Sequence, residues 1–322
     1  MKIAYCLETT ALWGGINVVF DQAEGLAARG YELEIIVREL VPPWRNTPCH
    51  IHTLSTEWEQ HDFSSFDVII ATHCSQVLAL AGKEAQLVHL VQGDDEACSL
   101  TEAEKDLAQR ALSLPVPKIA ISPELARRLS CRYSGRWDWV LQSIDFSLWK
   151  PAPRLPGKNR LLLVGPFDGQ LQGKIKGMPQ GLLAARLVCE EFGLKLVRLN
   201  QFDQLKEEIP FCKATDYYHG VLPRDVPAIY HFSDLFLSCS RPIEGFGLPA
   251  LEALACGLPS VLSDIPSHRD FDDADDFALW APPGDSVQMA KQLGKLWQDK
   301  DLQAHFRRRG PEVASIYEKN RS

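Results

Sequence analysis

The chain of 322 residues is long enough for two ordinary domains or one large one, and at 45% hydrophobic and 24% charged it has the composition of a folded globular protein. A formal net charge of −8 argues against broad nucleic-acid binding, which needs clustered Lys and Arg to displace counterions, yet leaves room for a local basic patch that holds phosphate. No apolar run approaches the ~20 residues that span a bilayer. Met1-Lys2 leads directly into an apolar strand-sized segment, so a cytoplasmic chain with no signal peptide is expected, with membrane contact at most peripheral at the inner membrane face. The nine cysteines are scattered, odd in number and contain no Cys-x-x-Cys, which predicts reduced thiols and neither a disulfide framework nor a structural zinc site.

The spacing predicts a strand over residues 2–7, a break at Gly14-Gly15, and a helix over 16–29 from the helical recurrence of Ile16, Val19, Phe20, Ala23, Leu26 and Ala27. Gly30 stands where a left-handed cap would end that helix. Short apolar runs at 33–37, 67–71, 86–91 and 118–121 predict further strands, and Thr101-x-x-Glu104 is a capping box that opens a helix. Residues 150–157 hold three prolines and a glycine, which suits an interdomain linker. The alternation then restarts with strands at 161–164, 194–199, 217–219, 235–238 and 261–262, a helix through 182–192, and amphipathic helix from Ser286 onward. Strands alternating with helices imply parallel sheets covered on both faces. The expected architecture is α/β: residues 1–149 form one Rossmann-like domain, 150–158 a linker, and 159–322 a second Rossmann-like domain facing the first across a cleft, with ligand at the carboxyl ends of the strands.

Residues 234–264 carry the chemistry. They read as a strand, a glycine-bearing loop, a helix and another strand. Gly245 and Gly247 let the backbone approach a ligand closely, Pro249 suits the first helical turn, and Gly257 ends the helix. The N–H groups of Gly247 and Leu248, with the positive end of the helix dipole, suit a diphosphate. Glu244 then lies near whatever hangs beyond the β-phosphate, and Glu252 faces the nucleoside side, where a carboxylate can accept ribose hydroxyls. The plainer reading of Glu252 is an acid that favours the helix dipole by roughly 0.3–1 kcal/mol.

Glu244-x7-Glu252 within Glu-Gly-Phe-Gly-Leu-Pro-x-Leu-Glu-Ala resembles the signature of the retaining glycosyltransferase family 4, which has the GT-B fold. Gly14-Gly15 followed by Leu26 to Glu32 is similar to the family's N-terminal loop, helix and turn. Residues 139–151, with Asp145, resemble the segment closing its first domain; Lys176-Gly177 resembles its Lys-Gly pair, and Gly220 and Tyr230 fit later landmarks. The resemblance implies a hexose-type sugar moved from a nucleoside-diphosphate sugar to a glycan, lipid-linked or small-molecule acceptor, with retention, without a metal and without any other cofactor. Glu244 would contact the transferred sugar, Glu252 the ribose, and the backbone N–H groups of Gly247 and Leu248 the distal phosphate, with Gly245 and Phe246 also counted in the donor site. Lys176 would neutralise the leaving diphosphate, with Lys174 assisting or simply solvated. Gly14 and Gly15 would approach from the N-terminal domain.

Two positions depart from the pattern. Pro166 stands where the family carries an arginine after the first strand of the second domain, and Gln92 where it often carries a histidine near the reacting sugar; Gln can hydrogen-bond a sugar hydroxyl but cannot titrate. His89 and His73 are read as structural histidines, and the helix after Tyr317 as abbreviated. These departures motivate the alternative of a non-catalytic sugar-nucleotide or glycan-binding subunit of a transferase complex. Asp273-Ala274-Asp275 is formally a metal-binding pair but sits in an acidic run typical of a solvated loop. A phosphorylase would need a longer chain and an epimerase more titratable groups. A dinucleotide-dependent dehydrogenase would open with Gly-x-Gly-x-x-Gly, which neither half does.

Overall fold

A computed structural model describes residues 1–41, 44–153, 159–169 and 173–318. The chain forms two compact units, Met1–Gln142 and Ser143–Ser322. Residues 154–158 of the predicted linker lie outside the described residues. Ile144 belongs with the second unit: its N–H donates to the Tyr317 carbonyl at 2.8 Å, and it bridges to Glu318.

The first unit runs β1 (Lys2–Thr9), α1 (Gly14–Ala28), β2 (Glu32–Glu39), β3 (His50–Thr53), β4 (Val68–Ala71), α2 (Cys74–Leu80) and β5 (Gln86–Val91). It continues through α3 (Asp95–Cys98), α4 (Glu102–Ser113), β6 (Lys118–Ala120), α5 (Pro123–Ser130) and β7 (Trp137–Trp139). Its seven strands are ordered β3-β2-β1-β4-β5-β6-β7, and every pairing is parallel. Ile3, Ala4, Tyr5, Cys6 and Leu7 are all buried because helices cover both faces, which is why β1 reads as an unbroken apolar run. The capping box forms as expected: Thr101 Oγ1 accepts from the Glu104 N–H at 3.1 Å, and Glu104 Oε2 accepts from the Thr101 N–H at 3.0 Å. Gly30 follows α1 at φ +88°, the left-handed stop its position predicts.

The second unit runs β8 (Arg160–Val164), α6 (Gly173–Lys176), α7 (Met178–Phe192), β9 (Lys195–Asn200), β10 (Asp216–His219), α8 (Val226–His231) and β11 (Leu235–Ser238). After these come α9 (Leu248–Ala255), β12 (Ser260–Ser263), α10 (Pro266–Arg269), β13 (Leu279–Ala281), α11 (Ser286–Gln298), α12 (Lys300–Ala314) and a 3-10 turn at Ser315–Tyr317. Six parallel strands are ordered β10-β9-β8-β11-β12-β13. In both sheets the order reverses, between β1 and β4 and between β8 and β11, and the carboxyl ends flanking such a reversal are where open α/β sheets bind ligands. The end of β8 is braced from within. Arg198 on β9 is fully buried, pairs with Glu208 at 2.6 Å, and donates to the carbonyls of Leu163 and Gly165 at 3.0 and 2.9 Å.

β3, β7 and β13 fall outside the predicted strands. All three are edge strands of three or four residues. An edge strand has one neighbour and tolerates polar residues, so His-Ile-His-Thr and Trp-Asp-Trp carry no apolar run to detect. Among the described residues no helix is long and apolar enough to cross a membrane.

Candidate functional site

β11 is buried along its whole length and ends as the chain turns polar at Ser238, Cys239 and Ser240. The loop over residues 241–246 then delivers Gly247, whose φ of 91° and ψ of 43° start α9 from the left-handed region. A Cβ at Gly247 would lie 2.7 Å from both Nε2 and Cδ2 of His268, so glycine is required twice, by backbone angle and by space. Pro249 in the first turn gives up an N–H that has no acceptor within the helix. The remaining first-turn N–H groups and the helix dipole make this end attractive to an anion.

Glu244 and Lys176 meet beside that helix start. The Lys176 ammonium donates to Glu244 Oε2 at 2.6 Å, and the Ser240 hydroxyl donates to the same oxygen at 2.9 Å. Their side chains are only 15% and 10% exposed, so this is a desolvated pair rather than a surface one. Burial pushes the Glu244 carboxyl up, but the Lys176 charge and hydrogen bond, helped by His268 and Ser240, outweigh it and hold the group below its ordinary range. Glu244 is therefore an anion at neutral pH. Gly165 makes room for its partner: at φ +126°, its missing Cβ would sit 2.9 Å from Lys176 Cγ. Lys174, two residues earlier on α6, is exposed.

Glu252 lies one turn further along α9. Its Oε2 accepts from the Tyr230 hydroxyl at 2.6 Å. Tyr230 is fully buried, with Trp149 edge-on at 5.2 Å and Phe236 stacked at 6.1 Å. Burial raises the Glu252 carboxyl to about 7, only partly offset by the Tyr230 bond and the Lys176 charge. The same burial, with Glu252 beside it, carries the Tyr230 phenol well above its ordinary value. His268, also fully buried, has Nδ1 3.0 Å from the Ser263 carbonyl and Nε2 3.4 Å from Ser238 Oγ. A carbonyl can only accept, so Nδ1 carries the proton; burial lowers the ring to about 4, and it is neutral at pH 7.

The second unit thus brings together Glu244, Lys176, Gly245, Gly247, Leu248 and Glu252 within one loop, one helix start and the end of α6. The Phe246 ring is buried against Phe271 and Tyr317, at centroid distances of 5.5 and 5.6 Å, and anchors the loop. Ser240 and His268 are additions the sequence did not single out, as is Arg241, which pairs with Asp168 at 3.3 Å. Pro166 occupies the turn after Gly165. In the first unit, Gly14 and Gly15 open α1, and a Cβ at Gly15 would meet Gln92 Oε1 at 2.7 Å, so Gly15 and Gln92 are neighbours. His73 is the N-cap of α2, and His89 is fully buried, its ring pushed down to about 3 by burial with Lys118 and His73 acting in the same sense.

Residues 169–313 match the family model for Glycosyl transferases group 1. Solved structures share the fold over nearly the full chain. Sucrose-phosphate synthase from Thermosynechococcus elongatus aligns with a TM-score of 0.80 at 16% identity, covering 98% of this chain and 94% of that one. Anabaena HepE in complex with UDP-glucose aligns with a TM-score of 0.77 at 14% identity, covering 99% and 96%. WaaG, a glycosyltransferase involved in lipopolysaccharide biosynthesis, aligns with a TM-score of 0.73 at 14% identity, covering 98% and 96%. No curated protein matches the chain in sequence. Two parallel-sheet α/β units that match GT-B structures, with a group 1 glycosyl transferase domain on the second, make this chain a glycosyltransferase of the GT-B type.

Proposed function

We propose that the chain is a retaining transferase of glycosyltransferase family 4 that moves a hexose-type sugar from a nucleoside-diphosphate sugar to a glycan, lipid-linked or small-molecule acceptor. The observation that carries this reading is the Lys176–Glu244 pair, desolvated beside the N-terminal end of α9. Lys176 and the helix start supply positive charge where a leaving diphosphate becomes more negative as the glycosidic bond breaks, and such groups act most strongly in a water-poor site. Glu244 is ionised and turned toward Lys176 and Ser240, a state suited to orienting a sugar hydroxyl. The leaving phosphate oxygen takes the acceptor proton, so no protein nucleophile and no metal ion enter the scheme. Gln92 with Gly14 and Gly15 serve the sugar from the first unit, and Lys174 assists at the phosphate. HepE in its complex with UDP-glucose supports a UDP-sugar as the donor to test first. We place the reaction in the cytoplasm, with peripheral contact at the inner membrane face where the acceptor is lipid-linked.

The test is a thermal-shift panel of UDP-, GDP-, ADP-, dTDP- and CDP-sugars on wild type and Glu252→Ala, followed by donor hydrolysis. One nucleotide at ~100 times its dissociation constant stabilises the fold by about 2.7 kcal/mol. A shift with one base, lost in Glu252→Ala and accompanied by turnover, supports the assignment. Binding without turnover selects the non-catalytic subunit, the reading that Pro166 in place of the family's arginine favours.

Glu252 gives a pH signature. With its carboxyl at about 7, it becomes the anion that accepts two ribose hydroxyls only as the pH rises through neutrality. Nucleotide affinity is expected to fall about tenfold per pH unit below 7, approaching the slope of a single required deprotonation. Glu252→Gln binds more weakly and without this slope. The folded-state value lies above the unfolded one, so ionising Glu252 opposes folding between roughly pH 4.5 and 7, and Glu252→Gln is expected to be more stable than wild type at pH 8. Calorimetric titrations at pH 6 and pH 8, with urea melts at both, check the two signs.

A further inference from the structure

In the first unit, three side chains that the proposed reaction does not use converge: Cys74, the first residue of α2; His89 in β5; and Asp95, the first residue of α3. One ligand atom from each lies within 4.8 Å of the others. The sheet produces this meeting. β4 and β5 are parallel neighbours with Ala71 paired to His89, and α2 and α3 both begin just beyond their carboxyl ends. Cys74 Sγ donates to Asp95 Oδ2 at 3.2 Å. His89 is 0% exposed, and neither ring nitrogen has a hydrogen-bond partner. Leaving a buried polar group unsatisfied costs about 1–3 kcal/mol. A neutral imidazole enclosed beside a thiol and a carboxylate is a ligand set, and the lone pair on His89 is the part of it that hydrogen bonding does not explain.

We propose that Cys74, His89 and Asp95 bind one divalent cation of the zinc type through a thiolate sulfur, an imidazole nitrogen and a carboxylate oxygen, with solvent at the fourth position. The mixed donor set excludes Mg²⁺ and Ca²⁺, which take oxygen ligands, and suits the borderline-soft Zn²⁺. Bonds of about 2.0–2.3 Å place ligand atoms on a shared tetrahedral ion roughly 3–4 Å apart, so the site closes by about an ångström of side-chain rotation. Binding replaces the Cys74 S–H···Asp95 hydrogen bond with two metal bonds and releases the thiol proton to solvent. The ion ties α2 and α3 to β5 and brackets the turn 92–94, which carries Gln92, between two of its ligands. Its role is structural, and no step of sugar transfer passes through it. A Cys-x-x-Cys pattern could not have revealed it, because each ligand comes from a different element.

The test is a Co²⁺ titration of the chelator-stripped, full-length protein, followed by displacement with Zn²⁺. A thiolate-to-cobalt charge-transfer band that saturates at one equivalent and disappears on adding Zn²⁺ is the expected result. Cys74→Ser abolishes the band, and His89→Gln and Asp95→Asn each weaken metal binding by on the order of 100-fold. Cys131→Ser, at an exposed cysteine, leaves the band unchanged. Should the ligand variants fail to fold, the wild-type titration decides alone: no band at one equivalent overturns the proposal, as does a band that survives Cys74→Ser.

Discussion

Lys176→Met is expected to lower sugar-transfer turnover by about 10²–10³-fold and, separately, to destabilise the second unit by about 3–5 kcal/mol at neutral pH. The first effect follows from removing the cation that meets the leaving diphosphate. The second follows from what stays behind: Glu244, with its side chain 10% exposed, loses the partner that holds it ionised. In wild type the Glu244 carboxyl lies below its ordinary value, so the pair stabilises the fold above the unfolded carboxylate range and that contribution fades as pH falls through the folded value. Without Lys176 the burial contribution dominates, Glu244 titrates above its ordinary value, and the variant recovers stability toward wild type in acid. Lys176→Met with Glu244→Gln removes the stranded charge and regains most of the stability, while turnover stays at the level of the single variant or below. Urea melts at pH 5 and pH 8 alongside donor turnover resolve the two effects. If the single variant loses turnover and the double variant restores it, Lys176 serves only to neutralise Glu244, and its role at the phosphate is wrong.

The double variant is informative because the pair is a product of the fold. Lys176 and Glu244 are 68 residues apart in the chain and meet because β8 and β11 are adjacent at the reversal of strand order. The sequence names both residues through the loop-helix motif and its family resemblance, but it holds no measure of the distance between them. Lys174 and Lys176 look alike in sequence; only the structure makes one exposed and the other the partner of a buried acid. The central strands were legible for a physical reason, since a parallel strand covered on both faces is apolar along its run, as Leu235, Phe236 and Leu237 in β11 are before the chain turns polar at Ser238. Ser240 and His268 had no such mark. A serine after a strand and a histidine in a short helix are ordinary until the fold sets one against Glu244 and the other under Gly247. The hydroxyl that Tyr230 gives Glu252 crosses 22 residues of chain and was equally hidden.

Gly247→Ala tests the start of α9 with a single methyl group, and Gly193→Ala supplies its control. Both glycines are left-handed, at φ 91° and φ 67°, so both substitutions bear the backbone strain of about 1–2 kcal/mol. A Cβ at Gly193 meets nothing within 4 Å, and the variant stops there. At Gly247 the methyl lands 2.7 Å from two atoms of the His268 ring. That ring cannot yield cheaply, being fully buried and held by the Ser263 carbonyl and Ser238. Overpacking adds about 1–3 kcal/mol, so Gly247→Ala is expected to be less stable than Gly193→Ala by that difference. The functional consequence is sharper. Relief of the clash moves the first turn of α9, whose N–H groups face the diphosphate in the proposed complex, and a displacement near 1 Å at such a group lowers kcat/KM by about 10²-fold. Gly193→Ala, at the far end of α7, leaves kcat/KM within about twofold once compared at a temperature where both variants are folded. Equal kcat/KM for the two variants, with the stability difference intact, would remove the α9 N-terminus from the donor site and leave Gly247 as a packing residue.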